Sequence, residues 1–372
     1  MVLFLIGVLE RLINMINREN TKKVFVGNVQ IGGNNKVVIQ SMTTSKTHNV
    51  EETIKQINQL YNEGCEIVRV AVLGINDANC LAEIVKKSPI PVVADIHFNY
   101  KFALIAADAG CAKIRINPGN IGIEENTIAV VNKCKEKKIP IRIGINSGSL
   151  PKKLVEKYGW TSKCMVEALR EHIEILEKLE FYDIIYSLKA TDPLMAIEAY
   201  SLASEIWNYP AHIGITEAGS LLNGAIKSSF GIGYLLYSGI GSTIRISLSE
   251  DPIMEIKVAK KLLNSMGLYE NIVEVIACPT CGRLEFGLKD VVNEVEEFVE
   301  ELKFPLKIAI LGCVVNGPGE ASQADIGIAG GRNGGIIFKK GKIFKTVEQE
   351  KLVPELKELI LEYYDSWKNQ QS

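Results

Sequence analysis

At 372 residues, the chain has room for two or three domains of about 150 residues each, or for one barrel of about 250 residues with a smaller unit beside it. Its 47% hydrophobic and 23% charged residues exclude a disordered, collagen-like or mucin-like chain. A formal net charge of −2 excludes a global basic field that would hold nucleic acid by counterion release, so any anionic ligand must be held by a local cluster.

The opening run Met1–Leu9 is apolar, but Glu10 and Arg11 end it, well short of the roughly 20 residues that a bilayer requires. No basic region precedes it and no small-residue cleavage site follows. Residues 1–20 are therefore expected to be an extension, with Met15 as the start of the fold-bearing chain; a membrane-associating helix is the rival reading. Five of the eight cysteines, namely Cys65, Cys80, Cys111, Cys134 and Cys164, stand singly within periodic apolar segments. They are expected to be buried, reduced core residues of a cytoplasmic protein with no membrane partner.

From Val37 onward, short β-branched runs alternate with amphipathic stretches of helical period, the signature of repeated βα units on a parallel sheet. Strands are expected at Val37–Met42, Ile67–Val72, Pro91–Ile96, Lys113–Asn117, Ile141–Asn146, Asp183–Leu188, His212–Thr216 and Thr243–Leu248, each followed by a helix. Eight is the closure number of the (β/α)₈ barrel, and an open doubly wound sheet more often stops earlier. The reading is a TIM-like barrel over 21–268 that binds substrate. A smaller α+β unit over 269–372 follows, with a helix from Lys289 to Leu302, a strand at Leu306–Leu311, short strands near Ile328 and Ile336–Phe338, and a last helix from Val347 to about Trp367.

In such a barrel the active site lies at the C-terminal ends of the strands, and here those ends are cationic: Arg69, Arg115, Arg142, Lys189 and Arg245. Side chains alternate across a strand, so Arg115 shares a face with Asn117, Arg142 with Asn146, and Arg245 with Ser247. Only Asp95, beside His97, and Glu217, after Thr216, offer carboxylates at matching positions. Buried cations without partners are costly, and guanidinium forks match phosphate oxygens, so the excess predicts a multiply charged anionic ligand. The bland alternative is that individual arginines pair with helix carboxylates. His97, beside Asp95, is expected to donate to a phosphate or hydroxyl.

In the smaller unit, Cys278 and Cys281 form a Cys-x-x-Cys pair and Cys313 follows, with no histidine from Cys278 to the end. A closed zinc site wants four Cys or His ligands. Three thiolates fit better with a 4Fe-4S cluster whose fourth iron is carboxylate-held or exchangeable, and Glu320, seven residues beyond Cys313, is the obvious oxygen ligand.

These residues stand within longer motifs: Pro-Thr-Cys-Gly-Arg after Cys278, Gly-Cys-Val-Val-Asn-Gly-Pro-Gly-Glu-Ala, Val-Gly-Asn-Val-Gln-Ile-Gly-Gly, Val-Ile-Gln-Ser-Met-Thr, Ala-Asp-Ile-His-Phe, Lys-Ile-Arg-Ile-Asn-Pro-Gly-Asn and Gly-Ile-Thr-Glu-Ala-Gly. From about Thr21 onward the chain resembles the 4-hydroxy-3-methylbut-2-enyl diphosphate synthase family of the methylerythritol phosphate pathway, in its compact two-domain bacterial form. The resemblance implies an iron-sulfur oxidoreductase of isoprenoid biosynthesis that opens the ring of 2-C-methyl-D-erythritol 2,4-cyclodiphosphate reductively and removes a hydroxyl as water. It implies substrate binding by residues matching Arg69, His97, Arg115, Asn117, Arg142, Asn146, Lys189, Thr216, Arg245 and Ser247. It also implies a 4Fe-4S cluster held at Cys278, Cys281, Cys313 and Glu320, with Glu320 doubling as proton donor and flavodoxin or ferredoxin supplying electrons. The rivals are an iron-sulfur hydro-lyase without net redox change, a zinc-bearing aldolase-like barrel, and an interaction module.

Chain order adds one expectation. The eighth barrel helix returns the chain to the face opposite the strand ends, and about a dozen residues remain before Cys278, at most roughly 40 Å when extended. A homodimer whose active sites are shared between chains solves that geometry.

Overall fold

The computed structural model describes residues 18–97, 99–116, 124–313, 322–331 and 334–371, and the chain divides into two compact units between Met266 and Gly267.

The first unit opens with a hairpin, β1 (Val24–Val26) and β2 (Val29–Ile31). Val24, Val26 and Ile31 pack against Val38, Ile67, Val93 and Ile185, residues at the starts of four barrel strands, so the hairpin seals that end of the barrel with apolar side chains. This pair was not among the expected elements, although Gly27-Asn28 between two β-branched runs is a hairpin signal.

The barrel follows as β3 (Val38–Met42), α1 (Val50–Glu63), β4 (Ile67–Val72), α2 (Ile75–Lys87), β5 (Val92–Ile96), α3 (Tyr100–Asp108), β6 (Lys113–Ile116), α4 (Glu124–Lys137), β7 (Ile141–Asn146), α5 (Lys152–Tyr158), α6 (Ser162–Lys178), β8 (Ile184–Lys189), α7 (Pro193–Ile206), β9 (His212–Ile213), α8 (Leu221–Tyr237), β10 (Thr243–Ile244) and α9 (Pro252–Ser265). The parallel strands run β8-β7-β6-β5-β4-β3-β10-β9, and a parallel bridge between Tyr186 and Ala211 joins the ends of the row. The expected (β/α)₈ architecture is present. Helices α7 and α9 start on the same device: Asp192 and Asp251 cap the amides of Leu194 and Ile253, and Pro193 and Pro252 occupy the first turn where no N–H is needed.

Strands seven and eight are shorter than expected, two residues each instead of five and six. The ladder stops because the chain splays at the mouth. The Leu248 amide donates to the Glu255 side chain and the Ser249 amide to the Gly219 carbonyl, so neither is available to a neighbouring strand. The cysteine expectation holds for Cys65, Cys111, Cys134 and Cys164; Cys80 is half-buried on α2. Burial pushes the thiols of Cys65, Cys111 and Cys134 up to about 12, which suits packing residues.

The second unit is a five-stranded sheet in the order β11 (Val273–Ala277), β12 (Leu306–Leu311), β13 (Ile326–Gly331), β14 (Gly334–Lys339) and β15 (Lys342–Val347). The first three strands are parallel and the last two antiparallel. Helices α10 (Leu288–Val299) and α11 (Leu352–Gln371) bury Leu288, Val295, Val299, Leu352, Leu356 and Ile360 against Ile308, Ile310, Ile326 and Ile328. Strand β15 was not among the expected elements, and the last helix starts at Leu352 rather than at Val347. A two-residue turn with positive φ at Lys340 (46°) and Gly341 (74°) folds β15 back onto β14, the backbone that such tight hairpins require. Among the described residues, no helix is long and apolar enough to cross a membrane.

Candidate active site

The barrel interior is built in layers by the two-residue period of its strands. Register places Arg69 beside Met42, Asp95 beside Arg115, Arg115 beside Arg142, and Asn146 beside Lys189. Adjacent strands thus aim charged residues at one space, and the walls thin where bulk would collide. At Gly144 a Cβ would sit 2.8 Å from Arg115 Nε, and at Gly214 one would sit 2.8 Å from Lys189 Nζ. These two glycines are the room the cations occupy.

A cavity of about 310 Å³ opens among these groups. Nine of the ten expected substrate-binding residues line it: Arg69, His97, Arg115, Arg142, Asn146, Lys189, Thr216, Arg245 and Ser247. Asn117 lies outside the described residues. Asp95 and Ser149 complete the wall. Arg142 is not at a strand end but is the second residue of β7, only 1% exposed, and it rises from the floor of the cavity.

Two carboxylates answer the cations. Asp95 accepts from Arg115 Nη1 at 2.9 Å and faces Arg69 Nε at 3.4 Å. Burial alone would raise its pKa, but Arg69 and Arg115 outweigh burial and hold it at about 2. The second carboxylate is Glu255, from the first turn of α9, and not Glu217. Glu255 accepts from Ser41 Oγ at 2.9 Å, Arg245 Nη2 at 3.2 Å and the Leu248 amide at 3.2 Å. Glu217 stands exposed on the rim with φ of 51°, its carboxylate taking the Thr191 hydroxyl at 2.9 Å. A glutamate in the left-handed region is uncommon and marks local strain. The sequence signal for Glu255 was its position on the buried face of α9, in line with Pro252, Ile256 and Ala259.

The balance remains cationic. Burial, then Arg69 and Arg115, push the Arg142 guanidinium well below its ordinary value; burial, then Arg245, Arg142 and Arg69, do the same to Lys189. Beneath them Lys113, fully buried, donates to Gln40 Oε1 at 3.0 Å, and burial, then Arg142 and Arg69, lower it strongly. Arg142 Nη1 donates to Ser187 Oγ at 2.8 Å, whereas its Nε and Nη2, and Nε of Arg115, are buried with no acceptor among the described residues. Unpaired charged donors around a cavity favour an anion with several acceptor oxygens.

In the second unit, register brings Ala277 level with Ile310, so Cys278 and Cys313 leave neighbouring parallel strands at the same sheet edge. The Gly312 amide donates to Cys278 Sγ at 3.1 Å. A Cβ on Gly312 would lie 2.2 Å from Leu284 Cδ2, so the close approach depends on that glycine. Hydrogen bonds from the backbone and then the side chain of Arg283 lower the Cys281 thiol, and the Arg283 guanidinium senses Cys281, Cys313 and Cys278 together. Among the described residues, no three Cys, His, Asp or Glu side chains are gathered closely enough to hold a metal ion. Glu320 lies outside the described residues.

Comparison with known proteins gives two family matches, the GcpE TIM-barrel domain over residues 21–260 and the GcpE protein C-terminal domain over residues 274–362. Among curated proteins, the 4-hydroxy-3-methylbut-2-en-1-yl diphosphate synthase (flavodoxin) of Malacoplasma penetrans is 58% identical over 95% of this chain and 98% of its own. The proteins of the same name from Shouchella clausii and Bacillus subtilis are 57% and 56% identical, over 93% and 92% of this chain and 94% and 92% of theirs.

Proposed function

The chain belongs to the GcpE family, and from that premise we propose that it converts 2-C-methyl-D-erythritol 2,4-cyclodiphosphate to 4-hydroxy-3-methylbut-2-enyl diphosphate by reductive ring opening and dehydroxylation, with a flavodoxin as electron donor. The observation that carries the reading is the cationic cavity, in which Arg142 and Arg115 keep buried N–H groups without acceptors among the described residues. A diphosphate supplies what they lack. Arg69, Arg115, Arg142, Lys189 and Arg245 clamp it, and Asn146, Thr216, Ser247 and His97 orient it from the rim; Asn117 is assigned to the same set from the sequence alone. When the carbon–oxygen bond to a phosphate breaks, negative charge grows on the leaving oxygen, and preorganised cations stabilise that charge more than the ground state.

The donor set of the second unit suits an iron-sulfur cluster: two thiols just beyond neighbouring strands, a third in the loop after β11, an amide directed at Cys278 Sγ, and a guanidinium that senses all three. We assign a 4Fe-4S cluster to Cys278, Cys281, Cys313 and Glu320; when bound, it supplies electrons one at a time. Glu320 is assigned the proton that turns the departing hydroxyl into water. A cytoplasmic setting keeps these thiols reduced.

The working form we assign is a homodimer whose sites are shared between chains, on the chain-order argument above. The barrel unit supports association: Leu222, Ile226, Phe230, Tyr234 and Tyr237 form one row along α8, each at least 51% exposed. That row offers on the order of 600 Å² of apolar surface, approaching the roughly 800 Å² each partner buries in a standard interface.

The test is Arg142→Ala. Removing the floor cation is expected to raise the dissociation constant of the cyclic diphosphate by about 10²-fold, with partial recovery in Arg142→Lys, since a point charge cannot reproduce a planar fork. Unchanged binding in both variants would return Arg142 to a purely structural role.

A further inference from the structure

Met42 closes β3, between β4 on one side and β10 on the other. Its sulfur takes two hydrogen bonds from a single guanidinium, Arg69 Nε at 3.1 Å and Arg69 Nη2 at 2.9 Å, and Arg245 Nη1 stands 3.9 Å away. The Nε–Nη2 edge is one of the forks by which arginine grips phosphate or carboxylate oxygens. Asp95, the nearest carboxylate, reaches this edge only at 3.4 Å. The fork that would hold an anion is therefore occupied by an uncharged, weakly accepting thioether.

Residue chemistry explains why this matters. A carboxylate at position 42 would pair with Arg69 and Arg245 and cancel the field that attracts an anion. An aliphatic side chain would take the sulfur away from Nη2 of Arg69, a residue with a side chain only 11% exposed, and leave Nε with only the long contact to Asp95. A thioether accepts weakly, carries no charge and sits on an unbranched side chain that can withdraw. A phosphate oxygen offers a charge-assisted bond about twice as strong as a neutral one, so exchange is favourable once substrate arrives.

We propose that Met42 is a placeholder that satisfies the Nε–Nη2 edge of Arg69 in the free site until a phosphate oxygen of the substrate displaces its sulfur. The proposal rests on the barrel cavity being the diphosphate site. It assigns Met42 a part in ligand affinity and none in the chemical step.

Calorimetric titration of the holoenzyme with the cyclic diphosphate, and with inorganic pyrophosphate as a second probe, tests this in three variants, with iron content and thermal melting as controls for folding. Met42→Leu is expected to tighten binding about threefold or more, because the substrate no longer displaces bonds that exist only in the free site, while kcat at saturation stays within about twofold. Met42→Gln, a stronger neutral acceptor of similar reach, is expected to weaken binding about 10-fold relative to wild type, and Met42→Glu about 100-fold or more by pairing the arginines. Leu binding no more tightly than wild type, Gln binding as tightly as wild type, or Glu binding no more weakly than Gln would each overturn the proposal while leaving the site intact. A wild-type protein that binds neither probe would instead overturn the cavity as the diphosphate site, and the proposal with it.

Discussion

Arg245 and Glu255 meet in a two-point ion pair inside the barrel, Nη2 to Oε1 at 3.2 Å and Nε to Oε2 at 3.3 Å. Glu255 is nearly fully buried and also holds Ser41 and the Leu248 amide, so one carboxylate ties the chain beyond β10 to β3 and α9. Removing it strands a charge. Glu255→Ala is expected to lower the free energy of unfolding by about 3–5 kcal/mol, and Glu255→Gln by less because an amide still accepts. Urea denaturation of the three proteins at neutral pH checks the order.

Asp95 sets an acid limit on the same barrel. Its folded pKa, about 2, lies below the unfolded value of 3.8, so its contribution to stability is fully present above pH 4 and is lost as pH falls from about 4 toward 2. The depression corresponds to about 2 kcal/mol. Denaturation midpoints measured at pH 5 and pH 3 should diverge more for wild type than for Asp95→Asn, which lacks the titrating group.

Cysteine chemistry supplies a third expectation. Cys281→Ser should lose bound iron and sulfide together, while Glu320→Ala should keep a cluster with altered absorption and very little turnover. Anaerobic purification followed by iron, sulfide and zinc analysis decides between this outcome and a zinc site; stoichiometric zinc with normal activity would sink the cluster assignment.

The apolar row on α8 makes association measurable. Phe230→Asp is expected to shift the protein from dimer to monomer in light-scattering chromatography, since a central charge in an apolar interface is left unpaired. Separately, heterodimers of Cys278→Ser and Arg142→Ala chains should recover activity through one composite site that has both an intact barrel and an intact cluster. Verified heterodimers with no more activity than either parent would show that each site closes within one chain.

What could be read from the amino acids follows physical lines. A strand buried on both faces has to be a continuous apolar run, so Arg69, Arg115 and Arg142 stood out as charges where only ligand or pairing could justify them. The depth of Arg142 was not legible, because position along a strand does not reveal how far a side chain lies below the mouth. Glu255 was missed since helix carboxylates are ordinary until the buried face of the helix is known. Strand β15 was missed because Lys-Ile-Phe-Lys-Thr-Val is exposed on almost every residue, leaving no alternation to detect. The proposed cluster ligands stood out as three thiols without a fourth, and the longer motifs around them carried the rest of the assignment.

The pairing of β3 with β10 sets Val38 level with Thr243, and the Val38 amide donates to the Ser242 carbonyl, so the first barrel strand to be synthesised waits for the last. Until the ring closes, β3 presents an open parallel edge, and the apolar hairpin at the strand starts has an incomplete seat. Contacts so distant along the chain demand loop-closure entropy before they return any binding, which slows folding relative to a protein of local contacts. Until Thr243 and Ile244 have been synthesised the nascent chain is therefore an unclosed sheet, and for that time its open edge is exposed to pairing with another copy.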